Sequence, residues 1–138
     1  MESVKTSPYL NFNGNCLEAM EFYKSAVGGK LDVQKYKDAP MNVPDGHKDK
    51  VIHSRLEFDG GLVMAADMMP GGEAKLGNAI HILIDVKDPK VGERYFNNLA
   101  QGGQVTMPWA ETFWGAQFGQ LVDKFGIYWM VNCEKEGK

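Results

Sequence analysis

The residues best suited to chemistry sit on short alternating runs. In "VIHSRLEF", residues 51–58, Val51, His53, Arg55 and Glu57 fall on one face of an extended strand, and Ile52, Leu56 and Phe58 on the other. The same alternation sets Tyr9, Asn11 and Asn13 against Leu10 and Phe12, and His81, Leu83 and Asp85 against Ile80, Ile82, Ile84 and Val86. Imidazoles and carboxylates move protons, so His53, Arg55, Glu57, Asp67 and His81 are acid–base candidates wherever two converge. The plainer reading of Arg55 and Glu57 is an exposed ion pair at a dimer surface. Nucleophilic catalysis finds no support: no serine sits in a Gly-x-Ser-x-Gly elbow, and neither cysteine has a histidine at motif spacing. Catalytic residues are therefore left unassigned.

A second chemistry comes from the aromatics. All three tryptophans lie in residues 105–132 among polar side chains. Alternation puts Trp129 with Ile127 and Val131 on a core face, and Tyr128, Met130 and Asn132 on the opposite one. Trp109, Phe113 and Trp114 fall in the loop before "AQFGQLVD", with Glu111 and Thr112 interleaved. Rigid aromatic walls with a few polar groups suit a small organic molecule. The alternative is a dimer interface, which favours the same residues.

Two helices must hold these strands. In "NCLEAMEFYKSAVGG", Asn15 is placed to cap, Glu18 stands as in a capping box, and Gly28 supplies the stop. In "DPKVGERYFNNLAQGG", Asp88 caps, Pro89 opens the first turn and Gly102 stops the helix. Sliding the first helix onto the second by 74 positions also aligns Leu10 with Ile84, Phe12 with Val86 and Gly28–Gly29 with Gly102–Gly103. Strand-like segments follow each helix, so a βαβββ unit occurs twice. The expected fold class is α+β, one domain over 1–138 with internal modules 7–67 and 79–133, and residues 38–50 as a surface loop.

Composition excludes several functions. The 138 residues carry a net charge of −3 with no Lys/Arg cluster, so no nucleic-acid footprint is present. No apolar run approaches the ~20 residues of a membrane span. Cys16 and Cys133 make no metal knuckle, and a reduced, cytoplasmic setting is expected.

The quoted runs "SPYLNFNGNCLEAMEFY", "VIHSRLEF", "MAADMMPGG" and "TMPWAETFWGAQFGQLVDKFGIYWMVN" resemble the PhnB-like branch of the vicinal-oxygen-chelate superfamily, which includes glyoxalase I, extradiol dioxygenases and the fosfomycin- and bleomycin-resistance proteins. The resemblance implies two βαβββ modules forming a curled mixed sheet around a cleft, the glyoxalase/bleomycin-resistance fold, and usually a homodimer. It also implies one divalent metal held by His or Glu at four equivalent strand positions. Here those positions fall on His81, Ser7, Met130 and Ala65, so one ligand of four survives. Three donors are needed for zinc, nickel or iron. No metal and no other cofactor is expected. A divalent metal is the alternative, on His81, Asp67 and His53, although a lone Asp at a strand end more often serves a turn or cap. Some PhnB-like proteins carry a ubiquinone-methyltransferase label. The usual enzyme of that kind needs a Gly-rich turn between strand and helix for S-adenosylmethionine, and none is present.

The expected function is binding of a small organic molecule in an aromatic-lined cleft built from Tyr9, Asn11, His53, Arg55, Glu57, Asp67, His81, Trp109, Phe113, Trp114, Tyr128 and Met130. The competing class is a glyoxalase- or dioxygenase-like enzyme, with an altered metal site or with metal-free acid–base chemistry. Expected partners are the small-molecule ligand and a second copy of the chain, with no nucleic acid and no membrane.

Overall fold

The computed structural model describes residues 2–134. The chain divides into two units, Met1–Lys75 and Leu76–Lys138, and each is a βαβββ module with its own four-stranded mixed sheet.

The first unit runs β1 (Tyr9–Phe12), α1 (Cys16–Val27), β2 (Lys30–Lys35), β3 (Val51–Phe58) and β4 (Gly61–Asp67). Strand order is β1-β4-β3-β2, with β1 parallel to β4 and the other pairs antiparallel. The helix lays Ala19, Met20, Tyr23, Ala26 and Val27 on Leu56, Val63 and Ala65, all buried. Complete burial of a side chain such as Leu56 or Met20 stabilises by roughly 1.5–3 kcal/mol. Gly28 ends the helix at φ +79°, its N–H donating to the Lys24 carbonyl. A Cβ on the next residue, Gly29, would collide with the Glu57 carbonyl, so the turn into β2 packs directly on β3. Between β2 and β3, residues 36–50 form a loop with two single 3-10 turns.

The second unit repeats the plan with β5 (Ile82–Asp85), α2 (Pro89–Leu99), β6 (Gln104–Glu111), β7 (Ala116–Val122) and β8 (Tyr128–Glu134), in the order β5-β8-β7-β6. Here the helix start is as expected: the Asp88 side chain accepts from Lys90 N at 2.9 Å and Pro89 occupies the first turn. Gly92, Tyr95, Phe96 and Leu99 are buried, as are Leu121, Trp129 and Val131 of the sheet. Gly119 lets α2 approach, since a Cβ there would lie 2.5 Å from Phe96 Cε1.

Several local expectations are corrected. Asn15 makes no side-chain cap on α1, so the capping box with Glu18 does not form. Ile80 precedes β5 and is 82% exposed rather than on the apolar face. Val51, assigned to the polar face of β3, is buried where the register shifts at Gln34/Lys35. Trp109 lies within β6, not in a loop. No helix among the described residues is long and apolar enough to cross a membrane.

Candidate functional site

In each unit the helix covers one face of the sheet, and the opposite face carries the side chains with chemistry. In the first unit, cross-strand pairing lines up Tyr9, Met64, Arg55 and Asp32 in one row. His53 and Glu57 flank Arg55 on β3, because i and i+2 share a face. Tyr9 Oη lies 3.1 Å from His53 Nδ1, with the rings tilted at 31° and centroids 5.8 Å apart. Burial, and then the neighbouring Cys16, push the Tyr9 phenol up from its ordinary value, so it keeps its proton. When that hydroxyl donates, Nδ1 accepts and the imidazole proton sits on Nε2. Arg55 Nη2 donates to Glu57 Oε1, which leaves the guanidinium held at one corner. Asn11 is exposed on the same face as Tyr9.

A groove of about 880 Å³ opens at the hairpin end of this sheet, where Arg55 and Glu57 meet Ser7 and Lys30. A smaller hollow of about 300 Å³ lies beside His53, against Ile52, Gln34 and Pro40.

Asp67 belongs elsewhere, and its placement corrects the reading of it as a cleft or metal residue. It is 3% exposed and faces the helix side. Oδ1 accepts from Gly14 N and Cys16 N, both at 2.9 Å, and Oδ2 accepts from Val51 N at 2.9 Å. Asp67 thus caps α1 from another strand and does what Asn15 was expected to do. Its carbonyl accepts from the buried Tyr36 hydroxyl at 2.9 Å, and His47, stacked edge-on to Tyr36, bonds the Met68 carbonyl at 2.9 Å. Beside it, Cys16 is wholly buried and bonded to Ser54, whose hydroxyl donates to the Ala65 carbonyl. Burial pushes the Cys16 thiol up to about 12; the bond to Ser54 works against that shift and the charge of Asp67 adds to it.

In the second unit, pairing sets Phe118 opposite Asn132, Gln120 opposite Met130 and Val122 opposite Tyr128, with Leu83 and Asp85 continuing two of the rows. The His81 ring meets Tyr128 edge-on at 5.3 Å. Trp114 bridges Phe113 and Phe118 at 5.0 and 5.8 Å. Phe113 is 98% and Trp114 51% exposed. Trp109 does not join them: its ring lies against Gly92 and Phe96 of α2. Trp129 is core, as alternation predicts, and donates from Nε1 to Asp123 Oδ2 at 2.7 Å. Sequence reasoning missed Phe118, whose aromatic signal lay hidden between a glutamine and a glycine in "AQFGQ".

Register also revises the metal positions implied by the resemblance. Gly126 and Gly60 are the turn glycines with positive φ, +88° and +87°, and the fourth residue after each is Met130 and Met64. Met130 pairs with Leu83 and Met64 with Tyr9, so the two methionines correspond; Ala65 is buried on the helix side. The implied set is then one imidazole (His81), one hydroxyl (Ser7) and two thioethers. Thioethers are soft donors that suit Cu(I) rather than a hard or borderline divalent ion. Among the described residues no group of three or more His, Cys, Asp or Glu could hold a metal ion. The residues do not fit the implied metal.

Residues 4–132 match the family model described as 3-demethylubiquinone-9 3-methyltransferase. The chain belongs to this family. It is 41% identical to protein PA1353 of Pseudomonas aeruginosa, with a TM-score of 0.87 over 97% of this chain and 100% of that one. It is 35% identical to Protein YjdN of Escherichia coli (strain K12), over 94% of this chain and 95% of that protein. A putative 3-demethylubiquinone-9 3-methyltransferase, PhnB protein, from Bacillus cereus is 25% identical, with a TM-score of 0.74 over 94% and 99% of the two chains. Glyoxalase/bleomycin resistance/dioxygenase structures at 16–17% identity share the fold, with TM-scores of 0.63 and 0.68. This is therefore a PhnB-like protein of the glyoxalase/bleomycin-resistance fold. Its strand-to-helix turns are Asn13-Gly14-Asn15 and Val86-Lys87-Asp88, neither of them Gly-rich.

Proposed function

We propose that this PhnB-like protein binds a small organic molecule on the sheet faces its helices leave open, without the metal usual in the superfamily. The observation that carries the reading is the exposed Phe113–Trp114–Phe118 cluster, beside a face lined by Tyr128, Met130 and His81. Aromatic groups left half in water at a sheet surface contribute little to folding and much to a planar ligand. Of the three tryptophans Trp114 is the one in this cluster, because Trp129 is core and the part-exposed Trp109 packs on Gly92 and Phe96 of α2. A bound planar molecule should therefore shift tryptophan emission in the native chain and not in Trp114→Ala. An emission response that survives the substitution would contradict the reading.

The contact between Tyr9 and His53 supports a second reading, metal-free acid–base catalysis on the same ligand. Its signature would be turnover with a pH dependence that Tyr9→Phe displaces; binding without turnover for every ligand found would reject it. We also propose a homodimer, since Leu83, Val105 and Met107 are exposed alongside Phe113. Light scattering at micromolar concentration should give twice the mass of one chain, and a single-chain mass would overturn it.

A further inference from the structure

We propose that the groove at the hairpin end of the first unit's sheet binds the oxyanion group of a small organic molecule, a carboxylate or phosphate, on Arg55. The inference rests on the small-molecule reading and names the ligand chemistry. Its central observation is Arg55 Nε, which is buried and has no hydrogen-bond partner. A charged N–H withdrawn from water without an acceptor is costly, and proteins seldom leave one unless something else completes it. Nη2 of the same guanidinium is held by Glu57, and Asp32 stands opposite Arg55 in β2, yet Nε stays unpaired. Glu57 thus orients one corner of the planar fork, and with the side chain 43% exposed in the groove its other terminal N–H groups are left to receive the oxygens of a carboxylate or phosphate.

The surroundings agree in charge and in space. Lys5 and Lys30 line the groove with Arg55, and Thr6 and Ser7 add neutral hydroxyl donors. Three cations stand against the carboxylates of Glu57 and Asp59, and Glu57 is already engaged by Arg55. Gly29, Gly60 and Gly61 leave the hairpin side without side chains, and about 880 Å³ is room for a ligand of metabolite size.

The test is calorimetric titration of the native chain, at low ionic strength, with inorganic phosphate, succinate and the neutral isostere succinamide. Phosphate or succinate should bind saturably and succinamide should not. Arg55→Gln should weaken the anion by about tenfold, as loss of a charge-assisted donor pair does. Lys30→Gln, at an exposed position that folding does not need, should weaken it about threefold and keeps the test valid if Arg55→Gln fails to fold. No saturable binding of either anion up to about 50 mM, or equal affinity in native chain and both variants, would overturn the proposal. Indole, titrated alongside by the same calorimetry into the native chain and Trp114→Ala, separates the two claims. Indole binding without anion binding refutes the oxyanion site and leaves the small-molecule reading standing. Anion binding without indole upholds the oxyanion site and refutes only the aromatic cluster as the place that holds the ligand.

Discussion

Among the described residues each unit buries one carboxylate near the end of its sheet, and the two are used differently. Asp67 gathers three backbone N–H groups from two places distant in sequence: Gly14 and Cys16 at the start of α1, and Val51 at the start of β3. Asp123 works locally, accepting from Phe125 N, Ile127 N and the Trp129 indole within one hairpin. A local anchor fixes a turn and the first residues of β8. A long-range anchor fixes how a helix, a loop and two strands meet, so more of the fold depends on it. The helix starts differ accordingly. The start of α2 is capped from within by Asp88, whereas α1 borrows its cap from the last residue of β4. Since both anchors face the helices, the opposite sheet faces are relieved of structural duty and left open to ligands.

The largest effect that would sharpen this contrast is at Asp67. Asp67→Ala leaves two buried N–H groups and one part-buried one unsatisfied and should destabilise by about 3–5 kcal/mol. Asp123→Ala should cost about 2–3 kcal/mol, because its backbone donors lie at a part-buried turn. Urea unfolding of the two variants checks the order, and a larger loss at Asp123 would break the comparison. Next in size is packing beneath α2: Gly119→Ala, which forces Phe96 aside, should cost about 1–3 kcal/mol in the same assay.

A pH effect tests the neighbourhood of Asp67 differently. The folded Cys16 thiol is raised from 9.0 to about 12, so above pH 9 the unfolded chain releases a proton that the folded chain retains. The stability it contributes is fully present below pH 9 and is lost as pH rises toward 12. Cys16→Ala should flatten that alkaline decline, as followed by thermal melts across this range. A decline as steep as in the native chain would place its origin elsewhere. The smallest expected effects are on the open faces. His53→Ala and Trp114→Ala should each change stability by no more than about 0.5 kcal/mol. A loss above about 2 kcal/mol at either would make that face structural.

Much of this was legible in the sequence, for reasons particular residues make clear. The duplication showed because both modules need a glycine stop after the helix and alternating strands after that, and those requirements repeat at one spacing. Trp129, Met130 and the His53–Arg55–Glu57 stripe followed from a period of two. What escaped were relations between segments. No local pattern tells that Asp67 reaches back 51 residues to cap α1, and Asn15 was the cap that local rules offered. Counting from Gly61 rather than Gly60 moved the implied metal position by one residue, which in a strand means the opposite face. Trp109 was placed with Phe113 and Trp114 in the loop before "AQFGQLVD", yet β6, an irregular strand with two register shifts, runs past it to Glu111.

The account rests on ligand binding that needs no metal, and a thermal-shift screen of chelator-treated protein tests this most directly. Planar aromatic molecules and small oxyanions would be screened against the native chain, Trp114→Ala and Arg55→Gln, with and without added zinc, nickel or manganese. The account predicts that some compounds raise the melting temperature of metal-stripped protein, that added metal changes those shifts little, and that one of the two substitutions abolishes each shift. Shifts that appear only when a metal is added, or that persist unchanged in both variants, would contradict it.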